Sequence, residues 1–286
     1  MKKVLPILGF SLLLAGCSSS LPPMQSSVTD GNEKVITGEG FEITKNDIYH
    51  HIMQTYGSAQ IFDIVLNYIA DQEITDTELI EEKVNETVQR YVQQMENGID
   101  DYAEQLGYES AEQYIDHMIR PNVKQELLKE RYIEEHYETI VSEYMPRYLK
   151  IITVDTESAA MEIIDESTSL DSFNTFLQDE DKTGQDVGIV TKESSNVDDN
   201  ILDLLDSFTT DGVYSKAIKT EDNKFSVVYV YNTDTTDLEE VIKTHFKNVN
   251  AISTDYEIYY LNQYNFNVYE GRIKKEIESI NEDYLG

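Results

Sequence analysis

Five histidines (His50, His51, His117, His136 and His245), one thiol (Cys17) and 55 carboxylates are the groups in this 286-residue chain that could carry acid–base, nucleophilic or metal chemistry. Their spacing does not assemble a site. His50 and His51 are adjacent, and on a helix neighbouring side chains diverge by about 100 degrees, which is poor geometry for one shared metal. His136 falls in an apolar stripe, where a core or inter-helix role is the default for an imidazole. With so many carboxylates, a pair at glycosidase-like spacing arises by chance. There is no Ser-His-Asp order, no Gly-rich phosphate loop and no Cys/His cluster. No cofactor or metal is expected. The marked excess is aromatic, with 20 tyrosines. Tyr256, Tyr260 and Tyr264 lie four apart, with Tyr259, Phe266 and Tyr269 nearby. Such a stripe packs a core or a wet helix interface, or else offers broad, adaptable contact to an unfolded segment. Phe208, Phe225 and Tyr229 pose the same alternative, core against apolar groove.

The elements that must position these groups fall into three stretches. From Thr44 to about Tyr148 the periodicity is helical. Thr44 with Asp47, Thr75 with Glu78 and Ser110 with Gln113 read as N-terminal capping boxes. Ile61, Val65 and Ile69 share one face. Ile80, Val84, Val88, Tyr91 and Met95 make a second stripe, and Leu128, Tyr132, His136, Ile140 and Tyr144 a third. Pro121 predicts a kink or a helix start. Next, LKIITV predicts a strand, TESAAMEIIDE a helix and Leu170 to Leu177 a second helix. GQDVGIV, a short helix near Ile201 to Phe208, a turn at Asp211–Gly212 and the apolar strand KFSVVYVYN complete a small α+β module. Helical pattern returns from Thr236. The expected architecture is α+β: a helical domain built from both ends of the chain (34–147 and 236–286), with the module inserted at 148–235.

The first 16 residues read as a signal peptide: Lys2 and Lys3, then an apolar run from Val4 to Leu14. That run is shorter than the roughly 20 residues a spanning helix needs. Its end, LLLAGC, resembles a bacterial lipoprotein signal, which implies that Cys17 accepts diacylglycerol and becomes the mature N-terminus. Residues 17–33, rich in Ser, Pro and Gly, read as a flexible spacer. With its only cysteine at the lipidation position, the folded part can hold no disulfide and must rely on its core.

Removing Lys2 and Lys3 leaves 20 basic residues against 55 acidic, a net charge of −35. Nucleic acid is not an expected partner, because phosphate binding needs Lys and Arg clusters that the chain lacks. An anionic lipid surface would repel it too, so covalent lipid is the expected membrane anchor.

The order of these parts, lipoprotein signal, helices, small α+β module and closing helices, resembles the PrsA foldase family of Gram-positive bacteria. The module resembles a parvulin-type peptidyl-prolyl isomerase domain. GQDVG at Gly184 to Gly188 stands where parvulins carry GGDLG, and SFTTDGVYSKAIKTEDNKFSVVYV is similar to the family's closing run of helix, GEVS turn and GYHI strand. LGYESAEQYIDHMIR is similar to the family's G-x-x-x-x-x-x-x-F segment before a long helix.

The resemblance implies a foldase or chaperone on the extracytoplasmic face of the cell membrane, acting on unfolded secreted proteins, with homodimerisation compatible. It also implies peptidyl-prolyl isomerase activity (EC 5.2.1.8), but the family's two catalytic histidines do not carry over. Lys150 or Ile151 stands in place of the first and Ser226 or Val227 in place of the second, and all five histidines lie outside the module. Isomerase activity is therefore expected to be weak or absent. Client binding falls to Phe208, Phe225, Tyr229, Tyr256, Tyr260 and Tyr264. The alternatives are a solute-binding lipoprotein, which would show two α/β lobes, and a structural surface lipoprotein.

Overall fold

The computed structural model describes residues 26–94, 98–179 and 183–285. Cys17 and the signal segment lie outside them, as does Met95. The chain divides into two compact units, Met1–Val65 with Leu261–Gly286, and Leu66–Tyr260. The architecture is α+β, with one five-stranded sheet in the second unit.

In the first unit, a hairpin of β1 (Lys34–Gly38) and β2 (Phe41–Thr44) precedes α1 (Lys45–Glu73), whose residues to Val65 belong here. The tight turn places Gly40 at φ 83°, a conformation that glycine adopts without steric cost. The sequence pattern at 34–44 predicts no strand, so this hairpin is an addition to the expected fold. Thr44 and Asp47 form the expected capping box, each backbone N–H bonding the other's side chain. Phe62 stacks on Phe266 and Tyr284, closing α1 against the C-terminal residues that include α12 (Gly271–Ile280). The end of the predicted spacer is tied down rather than free. The Ser26 N–H donates to Glu270 at 2.8 Å, His50 Nε2 lies 2.9 Å from the Ser26 carbonyl, and the Val28 N–H donates to Asn46.

In the second unit, α2 (Thr77–Val92) buries Ile80 and Val84 from the predicted stripe. Its N-cap is Asp76, whose carboxylate accepts from Leu79 N–H, and not Thr75 as the capping-box pattern suggested. After α3 (Gly98–Gln105), Ser110 caps α4 (Ala111–Tyr114), while Gln113 reaches back to Glu109 N–H. A π-helical turn (Ile115–Ile119) runs directly into α5 (Arg120–Glu135), and Pro121, which has no N–H to donate, lies just past that junction. The long stripe from Leu128 to Tyr144 is two helices, not one. His136 (φ −114°) breaks it, and α6 (Tyr137–Tyr144) follows. α10 (Glu239–Phe246) and α11 (Asn250–Gln263) pack there, and Ile133, Tyr137, Ile140, Tyr144, Ile242, Phe246 and Ile252 form one core. Lys243 clamps this joint. Its buried ammonium bonds Glu134 at 2.6 Å and Glu239 at 2.5 Å and lies 5.3 Å from the Tyr137 ring centre.

The sheet is antiparallel throughout, in the order β4 (Thr183–Val190), β3 (Arg147–Val154), β7 (Phe225–Asn232), β5 (Gly212–Val213), with β6 (Ile218–Lys219) also on β7. α7 (Glu157–Glu166) and α8 (Leu170–Leu177) cover one face, burying Ile152, Val227 and Tyr229 with Ile163 and Phe173. The other face packs Leu149, Ile151, Val228 and Val230 against Val197, Ile201, Leu205 and Phe208, around α9 (Asp199–Leu202). The central strands are buried on both sides, which explains their largely apolar sequences, broken in β3 by Lys150.

Candidate functional site

A concavity of about 300 Å³ opens on the α9 face of the sheet. Its apolar part is Ile151, Val187, Val197 and Ile201, and its polar part includes Thr153, Gln185, Asn196, Asp198, Asp222, Lys224 and Ser226. A β-bulge shapes it. Leu149 pairs with Gly188 and Lys150 with Asp186, leaving Val187 as the extra residue, and Gly188 takes φ 73° to permit it. Val187 thereby turns into the concavity. Asp186 turns to the opposite face, where Lys150 binds it at 2.6 Å and Tyr231 donates to it at 3.2 Å. The ammonium bond holds the Asp186 carboxyl below its ordinary range despite the opposing effect of burial, while burial and the neighbouring Asp186 push the Tyr231 phenol up.

Of the pairs standing in place of the parvulin histidines, Ile151 and Ser226 face the concavity, whereas Lys150 and Val227 belong to the other side. Thr153 and Ser226 pair across the strands, with their hydroxyls 3.0 Å apart. The floor is thus a branched alkyl group and two hydroxyls that satisfy each other. None of the thirteen lining residues is a histidine or a cysteine. Such a surface can hold a peptide through shape and backbone hydrogen bonds, but its lining presents no imidazole or thiol.

The aromatic candidates are placed elsewhere. Phe208 is buried beside Tyr214, its carbonyl accepting from Arg147. Tyr229 packs on Phe173 at 5.1 Å on the opposite face, where the half-buried Phe225 also lies. Tyr256 is buried but lines a second concavity of about 300 Å³ with Tyr91, Asn122, Lys129 and Ser253. Tyr260 is buried, and Tyr264, in the first unit, is half-buried. In this conformation Phe208, Tyr229 and Tyr260 serve the core, where a client cannot reach them without local opening, whereas Tyr256, though buried, borders its concavity. Surfaces that the sequence reading passed over are exposed in the first unit: Val35, Ile36 and Phe41 on the hairpin, and Ile52, Tyr56 and Ile64 on one face of α1. Tyr269, counted in the tyrosine excess, is 93% exposed. The multiples-of-four spacing of the α1 set was a signal available in the sequence. Among the described residues no group of three or more His, Cys, Asp or Glu could hold a metal, and no helix is long and apolar enough to cross a membrane.

Burial of tyrosines makes the second unit sensitive to alkali. Desolvation pushes Tyr132, Tyr137 and Tyr260 up to about 12 from 10.0. Each folded-state pKa is raised, so the stabilisation is complete below pH 10 and is lost as pH rises toward 12. Urea midpoints measured against pH should fall across that window, together with the appearance of tyrosinate absorbance. Tyr260→Phe should flatten the fall. A midpoint independent of pH between 10 and 12 would contradict the burial of these phenols.

No family model matches the chain, and no curated protein sequence matches it. Among solved structures it is similar to several PrsA proteins. It is similar to foldase protein PrsA from Streptococcus pneumoniae (17% identity, 88% of this chain and 100% of that one, TM-score 0.39). It is similar also to peptidylprolyl isomerase (PrsA) from Bacillus cereus (14%, 88% and 100%, TM-score 0.47) and to PrsA from Bacillus subtilis (16%, 84% and 96%, TM-score 0.36).

Proposed function

We propose that the chain is a lipid-anchored foldase of the extracytoplasmic membrane face that holds secreted proteins while they fold, with little or no prolyl isomerase activity. The observation that carries this reading is the concavity floored by Ile151, Thr153 and Ser226: large enough for a side chain or two of an extended segment, and lined without histidine or cysteine. Rotation about a prolyl bond has a barrier near 20 kcal/mol, lowered only by a site that favours the twisted amide over the planar one. Paired hydroxyls and an isoleucine give no such preference. Holding a client, in contrast, needs accessible apolar surface, which the hairpin and α1 supply on a chain whose acidity keeps it soluble. In this reading 148–235 is a parvulin-like module without its chemistry, and the helical segments 34–147 and 236–286 carry the grip.

A solute-receptor role has less support, since it calls for two α/β lobes and the described residues contain a single sheet larger than a hairpin. Two assays on the purified chain from residue 18 onward test the proposal. Aggregation of a denatured secreted protein should be suppressed at about stoichiometric amounts, and a proline-limited refolding phase should keep its rate at one foldase per hundred clients. Acceleration at that ratio would overturn the inactive-module reading, and failure to suppress aggregation would overturn the foldase reading.

A further inference from the structure

The walls of the sheet concavity are acidic in a way that its apolar floor does not require. The Asp198 carboxylate accepts from two backbone N–H groups, Asn200 at 3.0 Å and Glu221 at 2.9 Å, and so pins the 220–224 turn to the start of α9. Asp222 accepts from the Thr220 hydroxyl and the Lys224 backbone N–H, bonds that favour its ionised form and hold its carboxyl below the ordinary range. Backbone and hydroxyl donors fix these carboxylates without cancelling their charge, and no ion pair to either is present among the described residues. Against the two stands one lining ammonium, Lys224. A volume of about 300 Å³ lies at the small end for ligand sites, enough for a side chain or two of an extended segment and too small for a folded surface.

The geometry points to a peptide ligand that seats an apolar residue against Val187, the half-buried member of the apolar lining, and directs an adjacent lysine or arginine to Asp222 and Asp198. This deepens the proposed foldase function and rests on it, since it names the class of client segment that the module selects. Charge complementarity sets the preference, because a glutamate in the same place would face two fixed carboxylates.

The overall charge of −33 would attract any basic peptide anywhere on the surface, so the test uses two isomeric peptides of identical composition and net charge. In one, Leu-Pro is followed by Lys, with Glu eight residues away; in the other the two are exchanged. By fluorescence anisotropy in low salt, the Lys-adjacent isomer should bind about 3–5-fold more tightly, the size of an exposed ion-pair effect. The preference should shrink in 0.5 M salt and in Asp222→Asn, which keeps an acceptor for Thr220, and should reverse in Asp222→Lys. Circular dichroism of both variants confirms that they are folded. Equal affinities, binding of neither isomer, or a preference that survives in Asp222→Lys would each overturn the inference. Aggregation suppression by the unaltered chain separates the two levels: if it persists without a peptide preference, the groove assignment fails and the foldase reading stands. If suppression is absent, the foldase reading fails whatever the groove binds.

Discussion

Phe173→Ala is expected to destabilise the second unit by about 3–5 kcal/mol and lower its melting temperature by roughly 10 °C. Phe173 is fully buried, at 0% exposure, and joins Ile152, Ile163, Val227 and Tyr229 in the core between α7, α8 and the back of the sheet. Truncation removes an entire ring from a site framed by β-branched side chains, which relax little into a void, so both the lost transfer energy and the cavity penalty apply. Domains hold only about 5–15 kcal/mol in total, so this one ring is a large share. Phe176, one helical turn on, is only half-buried and gives a control in which the same substitution should cost about 1 kcal/mol. Denaturant melts of the two variants check the contrast. Equal losses would mean that α8 does not dock through Phe173, and the back face that aims Ile151 and Ser226 outward would need a different support.

The three long strands were legible because they carry β-branched residues, and their helices because they are capped, whereas the two-residue β5 and β6 were not, β5 starting at Gly212 where a turn was expected. Ser169 and Ser172 bond reciprocally at the start of α8, and Thr156 caps α7. Which residues face the concavity was not legible, for a physical reason. Facing is read from alternation with period two, but β7 is buried on both sides, so polarity does not mark a face. Irregularities in register at Tyr148/Leu149 and Leu149/Lys150 then shift the alternation where the choice between Lys150 and Ile151 is made. The break at His136 was hidden by the opposite effect. His136 N–H still bonds the Tyr132 carbonyl, and its own carbonyl still accepts from Ile140 N–H, so hydrogen bonds and four-residue spacing run through a residue that is not helical. The hairpin at 34–44 was missed because it is mostly exposed and lacks the alternation by which strands are found, although Glu39-Gly40 between β-branched residues was a usable turn signal. Tyrosine spacing, finally, reports that a helix has an apolar face, but not whether that face is covered. Tyr256 and Tyr260 share the stripe of Tyr264 and are buried, while the ring left most open, Tyr269, lies off it.

Replacing Cys17 with Ser is expected to lower the membrane-bound share of the protein in cells more than tenfold, the change that would follow from deleting the proposed acyl anchor, which no helix among the described residues duplicates. Each buried CH2 contributes about 0.8 kcal/mol, so two acyl chains hold a protein stably where one is marginal. No basic patch adds to them: the chain has 22 basic residues against 55 acidic, and an anionic bilayer repels it. The described helices provide no membrane-spanning alternative. Loss of the anchor should therefore release the protein to the medium and reduce secretion of its clients. The purified chain should still suppress aggregation, because the described fold begins at residue 26 and its contacts there, Ser26 to Glu270 and to His50, do not involve the cysteine. Fractionation and a client-secretion assay measure the first effect, and the aggregation assay measures the second. If the serine variant stays with the membrane, the lipid-anchor reading is wrong. If it is released yet client secretion is undiminished, then a weak and adaptable binder needs no concentration at the membrane, and the proposed link between address and activity falls.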